Sequence, residues 1–330
     1  MKKSKNKILV TGGAGYIGSH VVNELLKNGF EVDVVDIFLE SKENIIKNKL
    51  VKYHNIDIRN KNKLNIFFKK SKPDIVMHFA ALSKVPESTK KVYEYYETNI
   101  IGGINILECM RENKVNKIVF SSSASVYGEP KKKTIDESHP KNPTSPYGNT
   151  KLIFEMILGD YYEAYGISSI SLRYFCAAGA DFLSGLGEYH NPETHVIPSI
   201  IETILGKRKE FFVYGDNYKT KDGTGVRDYI HVLDLSNAHI CAMKKIFEKE
   251  NIYENYNLGI NKGFSVMELI KTTEKISGKK LDFKIKERRP GDPSKLIAIS
   301  KKAQKNLNWK PKFTKIEDIV LSTFNSLKNK

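Results

Sequence analysis

Strand-like and helix-like patterns alternate in the first half of the chain, and this alternation restricts the fold more than any other feature. Five apolar, β-branched runs read KILVT, EVDVVDIF, PDIVMHFA, NKIVFSS and ISSISLRY. The segments between them have helical spacing of apolar residues, as at Ile17, Val21 and Leu25 before a stop at Gly29. The pattern predicts βαβ units and a doubly wound parallel sheet that is covered on both faces.

The pattern changes near residue 176, where loops that contain Gly and Pro separate shorter elements. We therefore predict an α/β protein with two domains. The first covers residues 1–175, and a smaller C-terminal α/β domain that shapes a pocket covers residues 176–330. We expect part of 225–250 to pack back on the first domain.

Composition argues against several classes of protein. With 330 residues, 40% hydrophobic and 10% aromatic, the chain can form a packed core. The net charge of +16 comes from scattered Lys without interleaved aromatics, which predicts solvated surface and no nucleic-acid partner. No run approaches the roughly 18 to 20 apolar residues that span a bilayer, and the first residues lack signal-peptide features, so no membrane partner is expected. Three Cys without paired spacing favour a reducing compartment, the cytoplasm.

A glycine-rich turn, TGGAGYIGSH, follows the first predicted strand and opens the first predicted helix. Gly12 and Gly15 allow the backbone to approach a pyrophosphate, Gly18 allows close helix packing, and the helix N-terminus attracts an anion. Asp36 ends the second strand, near the offset at which a carboxylate accepts the ribose hydroxyls of a dinucleotide. An acid there repels a 2′-phosphate. The turn therefore predicts a Rossmann-type domain that binds NAD rather than NADP.

Two Tyr-x-x-x-Lys matches, Tyr127/Lys131 and Tyr147/Lys151, raise the question of a catalytic pair. Since the chain has 17 Tyr among many Lys, chance alone predicts about two or three such matches. The glycine and proline that follow Tyr127 argue against a helix there. Tyr147 instead begins a helical pattern after a proline suited to a first turn, which puts Tyr147 and Lys151 on one face. The ammonium is expected to lower the pKa of the Tyr147 phenol and make it a general base; a surface pair is the alternative.

A third polar segment, SSSASVYG, follows the NKIVF strand, where a doubly wound sheet places groups that contact ligands. Ser123 is positioned there to hydrogen-bond the same substrate hydroxyl as Tyr147. A run of three serines is equally consistent with plain turn chemistry, so the residues alone leave both interpretations open.

The ordered motifs resemble a known family. TGGAGYIGSH, HFAA, SSSASVYG, SPYGNTK, LRYF, DGTGVRDYIHV, YNLG and RRPGD follow one another as in the extended short-chain dehydrogenase/reductase family, and specifically the UDP-glucose (UDP-galactose) 4-epimerases. The resemblance covers about Lys7 to Pro311. It implies a homodimer that binds NAD and a UDP-hexose and interconverts UDP-galactose and UDP-glucose through a 4-keto intermediate. Residues 1–175 become the NAD-binding domain and residues 176–330 the UDP-sugar-binding domain.

The resemblance also implies roles for individual residues. Ser123, Tyr147 and Lys151 are the implied catalytic group. The implied contacts to NAD are made by Gly12, Gly15, Tyr16, Ile17, Gly18, Asp36, Asp57, Ile58, Phe79, Ala80, Asn99, Tyr147, Lys151 and Tyr174. The implied contacts to the substrate are made by Ser123, Tyr147, Cys176, His195, Val196, Tyr214, Arg227, Arg289, Asp292 and Leu296.

Some positions depart from the family pattern or invite another interpretation. Cys176 stands where the family often has Asn after LRYF, which removes or replaces one polar contact to the nucleotide sugar. Ser83 stands where many members have a Lys after HFAA, so that role is not transferred. His190 and His195 in HNPETH suggest a metal, but their loop context and the lack of supporting residues argue against one, and no metal is predicted.

Alternatives to the epimerase remain. Nucleotide-sugar dehydratases and decarboxylases resemble this chain but carry acids immediately before VYG, where this chain has Ala124 and Ser125. The intact Ser, Tyr and Lys argue against a non-catalytic NAD-binding protein. In the family, the residue at the offset of Leu296 faces the 2-substituent of the sugar. Leucine predicts weaker activity on the N-acetylated pair UDP-GlcNAc/UDP-GalNAc, with substantial activity on that pair as one alternative and a plain core leucine as another.

Overall fold

The structure, a computed structural model, describes residues 6–38, 44–190, 192–289 and 292–328. The strands are β1 (Lys7–Thr11), β2 (Glu31–Asp36), β3 (Val51–Asn55), β4 (Ile75–His78), β5 (Lys117–Ser123), β6 (Ser168–Tyr174), β7 (Cys176–Ala178), β8 (Phe211–Tyr214), β9 (Val226–Arg227), β10 (Tyr229–His231), β11 (Tyr253–Leu258), β12 (Phe264–Ser265), β13 (Phe283–Lys286) and β14 (Lys295–Leu296). The α-helices are α1 (Tyr16–Lys27), α2 (Lys61–Ser71), α3 (Val85–Ser88), α4 (Val92–Tyr96), α5 (Gly102–Glu112), α6 (Pro146–Tyr165), α7 (Val196–Ile204), α8 (Val232–Glu248), α9 (Val266–Ser277), α10 (Lys301–Asn306) and α11 (Ile316–Lys328). A π-helical turn, Glu97–Ile101, joins α4 to α5, and a 3-10 turn, Ala124–Tyr127, follows β5.

Seven strands form one sheet in the order β11-β6-β5-β4-β1-β2-β3. The β1–β2, β2–β3, β1–β4 and β4–β5 pairs are parallel. The chain runs from β1 to β2 and β3 on one side and then returns to β4 on the other side of β1. This reversal of strand order opens a crevice at the carboxyl edge, where doubly wound sheets bind their ligands. The predicted doubly wound sheet is confirmed.

Sequence patterns do not predict two of the seven strands. β3 (VKYHN) is an edge strand in which only Val51 is fully buried. β11 (YENYNL) buries only its last three residues. Neither strand has the continuous apolar run by which a buried parallel strand is recognised.

One hydrophobic core joins this sheet to α2, α5 and α6. Its buried residues include Leu9, Phe68, Ile106, Ile118 and Phe154. The Phe154 ring on α6 lies 4.7 Å from that of Phe120 on β5 and against Gly103 on α5, where a Cβ would come within 2.3 Å of it. The long helix α6 is thereby packed closely against the sheet and its neighbouring helix.

A second core lies among the later elements. It gathers buried side chains of α7, β8, α9 and α11, among them Ile200, Phe211, Leu269 and Val320. The same region contains three small sheets, with the strand orders β7–β10, β12-β9-β14 and β8–β13. The smaller C-terminal α/β region predicted from the sequence is therefore present.

The chain forms two compact units whose membership differs from a single cut at residue 175. The first contains the described residues up to Gly128, Pro140–Arg173 and Ser236–Tyr256, and the second contains Glu129–His139, Tyr174–Leu235 and the described residues from Asn257 onward. Residues 236–256, which include most of α8 and the first part of β11, belong to the first unit, and β11 forms an edge strand of the large sheet. The assignment of NAD and UDP-sugar binding to the two units stays a prediction.

Among the described helices, none is long and apolar enough to cross a membrane.

Candidate active site

The turn between β1 and α1 is built by close backbone contacts that only glycine allows. Gly12 has a φ of +73°, and a Cβ there would lie 2.5 Å from the backbone nitrogen of Ala80. A Cβ on Gly18 would lie 2.2 Å from the carbonyl oxygen of Gly12. Gly15 precedes the helix and has no side chain to cap it. The first N–H groups of α1 and the positive end of its dipole therefore suit a phosphate group.

Asp36 holds the end of this turn. Its Oδ2 accepts the backbone N–H of Ala14 at 3.0 Å, and its Oδ1 accepts that of Phe38 at 2.9 Å. A carboxylate offers about four lone-pair sites, so each oxygen retains capacity for a hydroxyl donor. The glycine cradle and this half-buried carboxylate at the end of β2 fit the pyrophosphate and ribose of NAD.

Tyr147 and Lys151 lie on one face of α6, as the sequence predicts. The helix begins with Pro146, and the Ser145 side chain caps it by accepting the N–H of Gly148 at 3.1 Å. Ser123, the last residue of β5, is hydrogen-bonded to the Tyr147 phenol. The structure therefore brings the three predicted catalytic side chains together, and all three are buried.

The protonation states of this group differ from the sequence prediction. Burial raises the pKa of Tyr147 to about 12, although the hydrogen bond from Ser123 opposes this. Burial also lowers the pKa of Lys151 to about 7. The Lys151 Nζ donates to the carbonyl oxygen of Ser121 at 2.8 Å and lies 5.7 Å from the centre of the Tyr147 ring. The sequence predicts that the ammonium lowers the pKa of Tyr147, but in the structure burial outweighs that effect, because removal from water disfavours the charged forms of both side chains.

A buried ion pair between Glu155 on α6 and Arg173 on β6 holds this part of α6 against the sheet. Both Glu155 oxygens accept hydrogen bonds from Arg173, at 2.8 Å from Nε and 2.5 Å from Nη2, and Glu155 Oε1 also accepts the Ser122 hydroxyl at 2.6 Å. Arg173 Nη1 donates to the phenol of Tyr127 at 2.9 Å. Tyr127 is the last residue of its 3-10 turn, which ends at Gly128 with a φ of +64°. Because the Tyr127 hydroxyl is hydrogen-bonded to Arg173, its position agrees with the prediction that Tyr127 is not the base.

Several predicted NAD residues also have structural contacts. Asn99 donates to the carbonyl oxygen of Leu82 and to the Thr150 hydroxyl, both at 3.0 Å, which ties the segment after β4 to α6. The backbone nitrogens of Phe79 and Ala80 donate to the carbonyl oxygen of Thr11 at 2.9 and 3.0 Å. Sequence patterns do not identify Thr150, although its hydroxyl accepts the hydrogen bond that joins Asn99 to α6.

The remaining predicted NAD residues include both surface and core positions. The Asp57 carboxylate accepts from Arg59 at 2.6 Å, and this hydrogen bond holds the pKa of Asp57 below its usual value. Ile58 is buried against Gly102. Tyr16 and Ile17 lie in the first turn of α1, and Tyr174 is buried at the end of β6. Their contacts to NAD stay predictions.

In the second unit, three predicted substrate residues converge. Arg227 on β9 forms an ion pair with Asp292 and donates to the carbonyl oxygen of Val226 at 2.8 Å. Leu296 on β14 lies opposite Arg227 in the parallel pairing of these strands. Leu296 is half-buried, whereas Ala298 two residues later is fully buried. The core interpretation of Leu296 therefore loses support.

The other predicted substrate residues lie on nearby elements of the same unit. The Arg289 guanidinium stacks over the ring of Tyr214 at 4.0 Å. Cys176 begins β7, and burial raises the pKa of its thiol to about 11, so it is a neutral thiol. His195 precedes α7 as its N-cap, and Val196 is the first residue of that helix. Their contacts to a UDP-sugar stay predictions.

Sequence reasoning missed two acidic features of this unit. Asp228, inside VRDYIH, is fully buried and accepts the backbone N–H groups of Ile260, Asn261 and Ala298 at 2.9 to 3.2 Å. Glu188 and Glu193 lie beside His190 and His195. The segment GEYHNPETH contains all four residues of this second group, but the residues between them hide any recognisable metal-binding spacing.

Comparisons with known proteins agree over nearly the whole chain. A family model described as GDP-mannose 4,6 dehydratase matches residues 9–323. The UDP-glucose 4-epimerase of Halalkalibacterium halodurans is 46% identical over 96% of this chain and 94% of its own. That of Lactobacillus helveticus is 43% identical over 96% of each chain. The crystal structure of UDP-glucose 4-epimerase from Bifidobacterium longum in complex with NAD+ and UDP is 40% identical, covers 98% of both chains and has a TM-score of 0.93.

The family model spans the positions of the glycine turn, the SSSASVYG segment and the helix that carries Tyr147 and Lys151. The chain therefore belongs to the extended short-chain dehydrogenase/reductase family, within its group of UDP-glucose 4-epimerases.

Proposed function

We propose that the protein interconverts UDP-galactose and UDP-glucose by oxidising C4 of the hexose to a ketone and reducing it again from the opposite face. The observation that carries this proposal is the buried contact of Ser123 with Tyr147, one helical turn from Lys151, in a chain 46% identical to an epimerase. NAD, when bound, accepts the C4 hydride and contributes a positively charged nicotinamide ring. Because C4 would regain the hydride that it gives up, the reaction would need no external oxidant.

Tyr147 acts as the base in this scheme. Its phenolate oxygen takes the proton of the 4-hydroxyl while the C4–H bond breaks and the C4 carbonyl forms. Since burial keeps the pKa of Tyr147 at about 12, the phenolate requires more positive charge than Lys151 alone provides. Ser123 donates to the same oxygen and orients the hydroxyl of the sugar. In the second half of the reaction, Tyr147 gives the proton back.

The residues before VYG favour epimerisation over elimination, even though the matching family model is described as a dehydratase. Removal of water from the sugar requires an acid and a base near the bond that breaks. Ala124 and Ser125 stand where the related lyases carry acids. A hexose that is oxidised at C4 therefore meets no carboxylate from these positions and is reduced again.

A firmly held diphosphate and a loosely held sugar are needed for the keto sugar to turn over. Arg227 and Arg289 offer rigid guanidinium groups suited to phosphate oxygens, and Arg227 is already oriented by Asp292. Tyr214, under Arg289, provides a flat surface beside it. All of these residues belong to the second compact unit.

Leu296 sets substrate preference in this proposal. It is half-buried and lies beside Arg227. A leucine there leaves more room than an aromatic residue but less than a small one. The protein therefore processes UDP-glucose and UDP-galactose well and their N-acetylated counterparts less well.

We also propose that two copies pair through α4, the π-helical turn, α5 and α6. Five of the fourteen exposed large apolar side chains among the described residues lie on α4, the π-helical turn and α6, namely Val92, Tyr93, Ile101, Met156 and Tyr165. Apolar side chains grouped in this way are typical of an interface between proteins.

The Tyr147→Phe variant tests the base directly. We expect its turnover of UDP-galactose to fall by about 10²- to 10⁴-fold, because general base catalysis is lost while the fold remains. The matched variant Tyr127→Phe should keep most of its turnover but lose about 1–3 kcal/mol of unfolding free energy, because Arg173 loses a buried acceptor. Turnover assays and thermal unfolding measure both. Equal losses of turnover in the two variants would contradict the choice of Tyr147.

The Leu296→Tyr variant tests the specificity role. A bulky ring at this position should lower kcat/KM for the N-acetylated pair relative to the plain pair by about 10- to 200-fold, the scale of small steric differences in a pocket. Leu321→Tyr, at an exposed leucine of α11, is the control and should leave the ratio unchanged. If Leu296→Tyr also leaves the ratio unchanged, Leu296 does not face the 2-substituent.

The Ile101→Glu variant tests the dimer. Light scattering should give a dimer mass for the wild type and a monomer mass for Ile101→Glu, because a charge would be buried at the interface. Ile66→Glu is the matched control, since Ile66 on α2 is 68% exposed and Ile101 is 51% exposed. A wild-type monomer, or a dimer that survives Ile101→Glu, would argue against this interface.

A further inference from the structure

Four side chains that the proposed reaction does not use as a group converge just before α7. They are Glu188, His190, Glu193 and His195, and one nitrogen or oxygen of each lies within 4.8 Å of those of the others. His195 Nδ1 is 2.8 Å from Oε1 of both Glu188 and Glu193. His190 Nδ1 is 3.5 Å from Glu188 Oε1 and 3.7 Å from Glu193 Oε2.

The separations match those of a four-coordinate metal site. In a tetrahedron with Zn–N and Zn–O bonds of about 2.0–2.2 Å, neighbouring ligand atoms are about 3.3–3.6 Å apart. The distances from His190 Nδ1 to the two carboxylates, 3.5 and 3.7 Å, lie close to that value, and the two from His195 Nδ1, both 2.8 Å, would lengthen when an ion enters. His190 Nδ1 is buried and has no hydrogen-bond partner among the residues that the structure describes. This nitrogen therefore lies near two carboxylates without a well-formed hydrogen bond to either of them.

Charge balance also suits a divalent cation. Two neutral imidazoles and two carboxylates would balance the charge of a divalent cation, so the occupied site would leave no buried net charge.

Other groups hold the ligands in place. Glu193 Oε1 accepts the backbone N–H groups of Thr194 at 2.6 Å and His195 at 2.7 Å. The backbone carbonyl of Glu193 accepts Arg208 Nη1 at 3.0 Å. Such contacts orient metal ligands in proteins, and local sequence patterns do not reveal them. The His195 side chain is 48% exposed, which provides an entry path.

We propose that Glu188, His190, Glu193 and His195 bind one divalent transition-metal ion of the zinc class. Two imidazoles among the ligands favour zinc over Mg²⁺ and Ca²⁺, which prefer oxygen ligands alone. The ion would link these four side chains and fix the start of α7, whose N-cap is His195, a residue also predicted to contact the UDP-sugar.

Untagged protein, treated with a chelator and then titrated with ZnCl₂, tests this inference. We expect one Zn²⁺ per chain, proton release that scales with the ionisation of the buffer, and a higher unfolding temperature. Co²⁺ should give the absorption of a tetrahedral site, and excess Mg²⁺ should not displace Zn²⁺. These readouts do not depend on epimerase activity.

Two variants and one control complete the test. His190→Ala and Glu193→Gln should each weaken Zn²⁺ binding by roughly 100-fold, at least the loss seen when a supporting contact of a metal site is removed. His54→Ala is the control, because His54 also lies 2.8 Å from a carboxylate, that of Asp33, but outside this cluster. Substoichiometric Zn²⁺, an octahedral Co²⁺ spectrum, or wild-type affinity in both cluster variants would overturn the proposal and leave an ion-pair network.

Discussion

The buried ion pair of Glu155 and Arg173 fixes the relation between α6 and the sheet on which the active site depends. Glu155 lies one turn after Lys151 on α6, and their partners Ser122 and Ser121 are consecutive residues of β5. The helix and the strand are thus joined at two successive positions. Loss of either charge would leave the other buried and unpaired, at a cost of about 3–5 kcal/mol. A shift of α6 along β5 would also separate Tyr147 from Ser123.

Burial explains both the stability and the chemistry of this site. The same removal from water that makes the ion pair rigid raises the pKa of Tyr147 and lowers that of Lys151. A positive charge near a buried phenol lowers its pKa and makes the phenolate form accessible. A bound nicotinamide would supply such a charge, and Tyr147 would then ionise mainly where a hydride acceptor is present.

The sequence predicts much of this architecture, and the failures have physical causes. The strand KILVT, its glycine turn and α6 follow from local patterns, since continuous apolar runs, helix caps and glycine sterics act over a few residues. β3 and β11 are missed because each is only partly buried. The rise in the pKa of Tyr147 was not predicted because spacing on a helix reveals proximity but not desolvation. Asp228 and the Glu188 group depend on residues brought together by tertiary folding, which short patterns do not reveal.

The central claim is that the C4 hydrogen leaves the sugar as a hydride and returns to it within one active site. UDP-galactose that carries deuterium at C4 tests this most directly, with the UDP-glucose product analysed by NMR and mass spectrometry after turnover in ordinary water. The account predicts that deuterium stays at C4 in the product. Deuterium lost to solvent would contradict it and indicate that C4 is deprotonated instead.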